Sequence, residues 1–254
     1  MLTIEQIQTA AAQVGLDDVG VAQADVVTED AAFMEKWIKE RGLRSEERGK
    51  RIEDKLWYLG ENREKRYDPR VLVPGTKTVV VGVLTFEHSG RDYHRTMKSK
   101  LYALEAKLKE IAGEEIVSAD YQHIFCDSAP FLERRWAQKA GLGFIGKNHA
   151  FIHPQLGSLV HLGELCLQSS IAPCAHNPLS TIHNPQSCPP ACRLCIDACP
   201  RGVLGKTTWD VHQCIAYETN ECLVCQKCCP WNSPSARRGV PSPLAAGRSL
   251  SFLL

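Results

Sequence analysis

The chain has 254 residues, with 30 Lys and Arg set against 29 Asp and Glu for a formal charge of +1. That balance leaves no bulk electrostatic footprint for nucleic acid. No apolar run approaches the ~20 residues that span a bilayer, and no lipidation signal ends the chain. The expectation is a soluble, cytoplasmic protein of one sizeable domain and one small one.

In chain order, Thr3-Ile4-Glu5-Gln6 reads as a capping box, and Ile7, Ala10, Ala11 and Val14 recur behind it at helical spacing to about Gly15. Asp18 to Ala22 reads as a short strand. A second amphipathic helix is expected from Ala31 to Glu40, with Phe33, Trp37 and Ile38 on one side. From Glu35 to Arg70 charges of both signs crowd together as a solvated face. Thr78 to Phe86 is a β-branched run between Pro74-Gly75 and Ser89-Gly90, hence a buried strand. Arg95 to Ile111 is a helix, and Ala119 to Phe125 a strand that delivers Cys126-Asp127-Ser128-Ala129-Pro130 to the mouth of a helix ending near Ala140. Asp127 there could cap a helix starting at Ser128 or Ala129. Gly141 to His149 follows, with glycines that let backbone approach a large flat ligand. It lacks the P-loop spacing, and no Ser or Thr follows Lys147, so triphosphate binding is rejected.

Most of the 12 cysteines fall into two runs that each end in Cys-Pro. The first is Cys188, Cys192, Cys195 and Cys199-Pro200; the second is Cys214, Cys222, Cys225, Cys228 and Cys229-Pro230. Soft thiolates at this density suit a pair of [4Fe–4S] cubes. In two-cluster ferredoxins the last cysteine of each run crosses to the other cube. Applied here, one cluster takes Cys188, Cys192, Cys195 and Cys229, and the other takes Cys199, Cys214, Cys222 and Cys225. The following prolines lack an N–H and fix φ, which stops the turn where the crossing ligand points away. Disulfides suit small secreted scaffolds, and no leader precedes Leu2. Zinc would not call for a third and fourth cysteine followed by proline. The gap from Cys188 to Cys192 holds three residues where the usual run has two. Cys228 is a spare thiol or a competitor for the cube, and Cys126, Cys166 and Cys174 read as small buried residues. Cys174, His176 and His183 approach the first run with irregular, non-metal spacing.

These elements predict an α/β (α+β) domain over residues 1–170, a ferredoxin-like two-cluster domain over 171–232 and a flexible tail over 233–254. Arg237, Arg238 and Arg248 in that tail are candidate phosphate contacts.

Beyond the cysteines, the order of motifs carries a family signature. Asn62 to Arg70 with Val73-Pro74-Gly75, Gly90 to His94, Asp127 to Pro130, Gly141 to Lys147, Gly157-Ser158, Leu162-Gly163-Glu164 and Cys229-Pro230-Trp231-Asn232 together resemble the epoxyqueuosine reductases. The resemblance implies a nitroreductase-like cobalamin-binding domain, related to reductive dehalogenases, followed by the ferredoxin-like two-cluster domain. It implies reduction of epoxyqueuosine to queuosine at the tRNA wobble position, the last step of queuosine biosynthesis, with cobalamin and two [4Fe–4S] clusters as cofactors. By the same resemblance Asp127 is the proton donor, a role that needs a carboxyl kept protonated. Arg66, Phe151, Leu162, Ala216, Leu223 and Val224 are the implied cobalamin contacts. The implied partners are tRNA carrying epoxyqueuosine and a low-potential donor such as flavodoxin or ferredoxin. Ala216 stands where the family has serine, and the connections from Phe86 to Gly90 and from Tyr217 to Cys222 are shorter than usual. Two alternatives stand beside this reading: a cobalamin-dependent reductase of another epoxide, a halide or a corrinoid protein, and a non-enzymatic iron–sulfur electron carrier.

Overall fold

A computed structural model describes residues 2–41, 61–90, 92–171, 187–205, 211–219 and 221–232. The central part of the charge-rich stretch, Cys174, His176, His183 and the tail with its three arginines lie outside the described residues.

Helix α1 (Ile4–Gln13) opens with the expected capping box. Thr3 Oγ1 accepts the Gln6 N–H at 3.3 Å, and Gln6 Oε1 accepts the Thr3 N–H at 2.9 Å. Strand β1 (Asp18–Gln23) follows, then α2 (Thr28–Arg41), which starts earlier than the sequence suggested. Phe33 was expected on its buried side but is exposed. The inward stripe instead runs through Met34, Trp37 and Ile38, spaced i, i+3 and i+4, and Trp37 packs toward Val211 and Tyr217.

The short helices α3 (Arg63–Tyr67) and α4 (Pro69–Leu72) share a corner at Asp68. Its Oδ1 accepts the Arg70 N–H at 2.9 Å while Pro69 occupies the first helical position. Strand β2 (Thr78–Thr85) is buried at every residue, as its β-branched composition demands. The turn α5 (Phe86–Ser89) leads to the long helix α6 (Tyr93–Ala112), capped by Asp92. Strand β3 is only Ile124–Phe125, shorter than expected, because residues 119–122 are exposed and only the last two of the run reach a partner strand. Next come α7 (Glu133–Lys139), the hairpin β4 (Phe144–Ile145) and β5 (Phe151–Ile152), and strand β6 (Val160–Leu167). The cysteine-rich segment contributes the single-turn helices α8 (Leu194–Asp197), α9 (Ile215–Thr219) and α10 (Val224–Lys227).

Among the described residues the main sheet has the order β1-β2-β6-β3, and each neighbouring pair is antiparallel. The mixed α/β expectation therefore holds on its α+β side. Alternate residues of β2 and β6 feed two apolar layers. Val80, Leu84, Leu165 and Leu167 pack with α1 and α6, whose Met97, Leu101, Leu104 and Leu108 are wholly buried. Val79, Val81, Val83, Leu162 and Cys166 pack on the opposite face with Phe131, Trp136 and Ala137 near α7. The approach of α6 is close enough to require glycine at 163: a Cβ there would run into Met97 and Leu101.

Candidate active site and cysteine loops

Asp127 lies just beyond β3, in the gap before α7. Because α7 begins at Glu133 with Leu132 as its N-cap, Asp127 is too far upstream to cap it, which removes the capping alternative. Its backbone is left-handed, at φ +50°, a region aspartate enters more readily than most residues. Two contacts fix this turn. The Asp127 N–H donates to Glu133 Oε1 at 2.6 Å, and Tyr93 Oη donates to Asp127 Oδ2 at 2.5 Å. The side chain is 17% exposed and lies 3.8 Å from His94 Nε2. A ladder of rings backs it: Phe86 stacks on His161 at 4.4 Å, His161 on Tyr93 at 3.8 Å, and Tyr93 leans on His94 at 3.9 Å. Burial, and then the neighbouring His94, lower the His161 imidazole to about 3, so that ring is neutral.

Asp127 opens on a solvent-open cleft, about 370 Å3 with its mouth included, whose lining includes Glu133, Ala150, Phe151, Val160, His161 and Leu162. The structure thus brings Asp127, Phe151 and Leu162 together. Ala216 and Val224 line a second cavity, of about 630 Å3 and partly open to solvent. Arg66 is buried on α3, and Leu223 is half-buried just ahead of α10; neither lines either cavity.

That second cavity is also lined by Cys199, Cys214, Cys222 and Cys225, so a cysteine from the first run joins three from the second around one space. Cys188 and Cys229 pack together against Phe144, Ile152 and Trp231. Cys195 feels Cys188, Cys192, Cys228 and Cys229 as neighbours. Burial, then the surrounding thiols, push Cys225 up to about 12 and Cys195 up to about 11, so a metal must displace their protons on binding. Burial pulls Cys199 the same way, but N–H groups of Val203, Arg201, Leu204 and Gly202 aim at its sulfur and bring it below the usual thiol range. Among the described residues no three metal-capable side chains converge as they would on one ion. Thiolates at the corners of a cube stand farther apart than that.

Sequence reasoning named Ser158 and Asn232 only as parts of motifs and gave no role to the residues that join the two cavities. Ala150 lines both. Asn148 Nδ2 donates to Cys225 O at 3.3 Å, and Gln226 Nε2, buried, donates to Ser158 O at 3.0 Å. Asn232 binds Ser158 twice, through its N–H at 2.7 Å and its Oγ at 2.7 Å, and donates to Gln226 O at 2.8 Å. Gly157 sits at φ +76°, and a Cβ there would strike Asn232, which is why Gly157-Ser158 and Trp231-Asn232 belong to one device. Lys147, which ends the glycine-rich turn, donates to the carbonyls of Pro189, Pro190 and Cys192 at 3.1, 2.7 and 2.8 Å, and so ties the first cysteine loop to the β4–β5 hairpin.

A helix-covered sheet whose acid-lined cavity abuts paired cysteine loops, with a cysteine content compatible with iron–sulfur clusters, is an arrangement that suits an oxidoreductase. No family model matches the chain. It is 31% identical, over 90% of its length and 80% of the relative's, to the epoxyqueuosine reductase of Leadbetterella byssophila. Its fold matches the epoxyqueuosine reductase of Streptococcus thermophilus with a TM-score of 0.70 at 24% identity, covering 95% of this chain and 68% of that one. A crystal structure of epoxyqueuosine reductase with an epoxyqueuosine-modified tRNA-Tyr stem loop matches with a TM-score of 0.65 at 22% identity, covering 90% and 64%. The chain belongs to the epoxyqueuosine reductase family. No described helix is long and apolar enough to cross a membrane.

Proposed function

We propose that this chain reduces epoxyqueuosine in tRNA to queuosine, using two [4Fe–4S] clusters and cobalamin. The observation that carries the proposal is the 31% identity to a curated reductase across 80% of that enzyme. The domain division at about residue 170 is part of the same proposal, as is the tRNA partner, which rests on the stem-loop complex of a relative.

The residues fit both cofactors. For the clusters, Cys199, Cys214, Cys222 and Cys225 share a cavity, and Cys188, Cys192, Cys195 and Cys229 would hold the other cube. For cobalamin, Phe151, Val160 and Leu162 supply an apolar surface beside Asp127, and Ala216 and Val224 supply a second one across Ala150. Arg66 and Leu223, which line neither cavity, are proposed contacts on the family resemblance alone. Cobalamin, when bound, supplies a low-potential metal that collects single electrons for a two-electron reduction.

The chain's own residues do the rest. The cysteine loops would hold the clusters beside the wall at Ala150, where such clusters would supply electrons taken from a low-potential donor such as flavodoxin or ferredoxin. Asp127 stands where it can protonate the departing epoxide oxygen, which is a poor leaving group as an alkoxide. Tyr93 and Glu133 hold that carboxyl at the cavity mouth through a hydroxyl and an accepted backbone N–H. Stacked His161 stays neutral, so it adds no competing charge beside the acid.

The test is direct. Anaerobically reconstituted protein, given cob(II)alamin, a low-potential reductant and epoxyqueuosine-tRNA, is expected to yield queuosine on nucleoside analysis. A cobalt spectrum that does not change on mixing would point to an electron carrier; bound cofactor without product would point to another substrate. Asp127→Asn is expected to cut turnover by roughly 100-fold or more while leaving cluster absorbance intact.

A further inference from the structure

Removing an epoxide oxygen as water consumes two electrons and two protons, and one aspartate carries one proton at a time. Two more carboxyls stand behind Asp127. Glu164 lies in the middle of β6, paired with Val81 on one side and Phe125 on the other, and is 0% exposed. Neither of its carboxyl oxygens has a hydrogen-bond partner among the described residues. An ionised carboxylate in that position would be lost to desolvation with nothing to offset it. Glu133, at the start of α7, lines the space that Asp127 opens on and accepts the Asp127 N–H at 2.6 Å.

The groups facing this trio are few. Tyr93 and His94 reach Asp127 from α6, and His161 on β6 is neutral. Arg134 is turned to the His149 carbonyl. Cys126 touches the field of all three acids, with Lys98 its one cationic influence. Burial, then Glu164, then Asp127 raise the Glu133 carboxyl well above the usual range; burial, then Asp127, raise Glu164 likewise. Two carboxylates cannot both be charged in such a site, so the pair retains a proton.

We propose that Glu133, kept protonated beside the buried and unpartnered Glu164, stores the second proton of the reaction and passes it to Asp127. The inference rests on the reductase reading above. In the first transfer the Asp127 O–H bond breaks and its proton goes to the epoxide oxygen as the C–O bond opens. In the second, the proton held by the pair passes from Glu133 to the Asp127 carboxylate and on to the hydroxyl, which departs as water while the alkene forms. The two electrons come from the low-potential donor. Glu133 and Glu164 act through Asp127 and are positioning residues for its proton.

Infrared spectra of the anaerobically reconstituted full chain provide a readout independent of turnover. At neutral pH a carbonyl band of neutral carboxyl is expected, retained in Asp127→Asn and weakened in both Glu133→Gln and Glu164→Gln. Gln at 133 keeps the acceptor for the Asp127 N–H, and Glu164→Met serves as an apolar replacement should the buried amide not fold. In both positions kcat is expected to drop roughly 100-fold with KM unchanged, and its pH profile to lose the alkaline limb. No neutral-carboxyl band in the unsubstituted protein overturns the proposal, as does a kcat and pH profile unchanged by either substitution. Failure of the unsubstituted holoenzyme to form queuosine would instead sink the reductase reading, and the infrared band would still decide whether the proton pair exists.

Discussion

Glu164 ties stability to pH in a direction opposite to that of most acids. Its folded carboxyl is raised, so above the ordinary carboxylate range the unfolded chain gives up a proton that the folded chain keeps. Stability from this source is present in acid and is lost as pH rises toward the folded value. His161 works from the other side: lowered to about 3 from an ordinary 6.5, it makes the unfolded state the better proton binder between those values, so stability falls on acidification there. Glu164→Met is expected to flatten the alkaline decline, so that its melting temperature falls less than that of the unsubstituted protein from about pH 5 to about pH 8. Equal slopes in calorimetry would show that Glu164 ionises freely. At this scale the sequence spoke unevenly. Asp127 was marked by its motif, but its left-handed turn and its distance from α7 were not, because helix onset depends on where Glu133 and Trp136 find the sheet. Glu164 was quoted only as part of a motif, since nothing local says that a glutamate will be walled in by two strands.

At the scale of elements, Asn232 joins the cysteine-rich segment to the turn ahead of β6 by two hydrogen bonds to Ser158, and a third, to Gln226 O, braces it within its own segment. Asn232→Ala leaves the Ser158 N–H and the Gln226 carbonyl without this partner, and is expected to cost about 1–3 kcal/mol in anaerobic denaturant titration. An unchanged midpoint would mean that the contact contributes nothing to docking. The strongly patterned elements, α1, β2 and α6, were legible because capping chemistry and apolar periodicity agree in them. Strand β6 was not: His161, Gly163 and Glu164 interrupt its apolar run, and its burial on both faces removes the alternation that would betray a strand. The two-residue strands of the β4–β5 hairpin are too short for any period to register.

For the whole molecule, the cysteine runs were plain in the sequence, while the contacts that tie them to the rest of the chain were not, because these are made of common residues brought together by folding. The gathering of Cys199 with Cys214, Cys222 and Cys225 in one cavity gives the proposed ligand crossing a specific consequence. Cys222→Ser is expected to lose one cube and keep the other, with iron and sulfide falling by about half per chain. Loss of all iron would mean that the two centres assemble as a unit, and full retention would remove Cys222 from the ligand set.

Ala150, buried between the two cavities, offers the smallest partition a side chain can make apart from glycine. Electron tunnelling decays steeply with separation, so in the proposed circuit the thickness of this partition would set the rate between supply and chemistry. A methyl group there would favour conduction, and the bulk tolerated at position 150 would gauge how far charge hops through this protein.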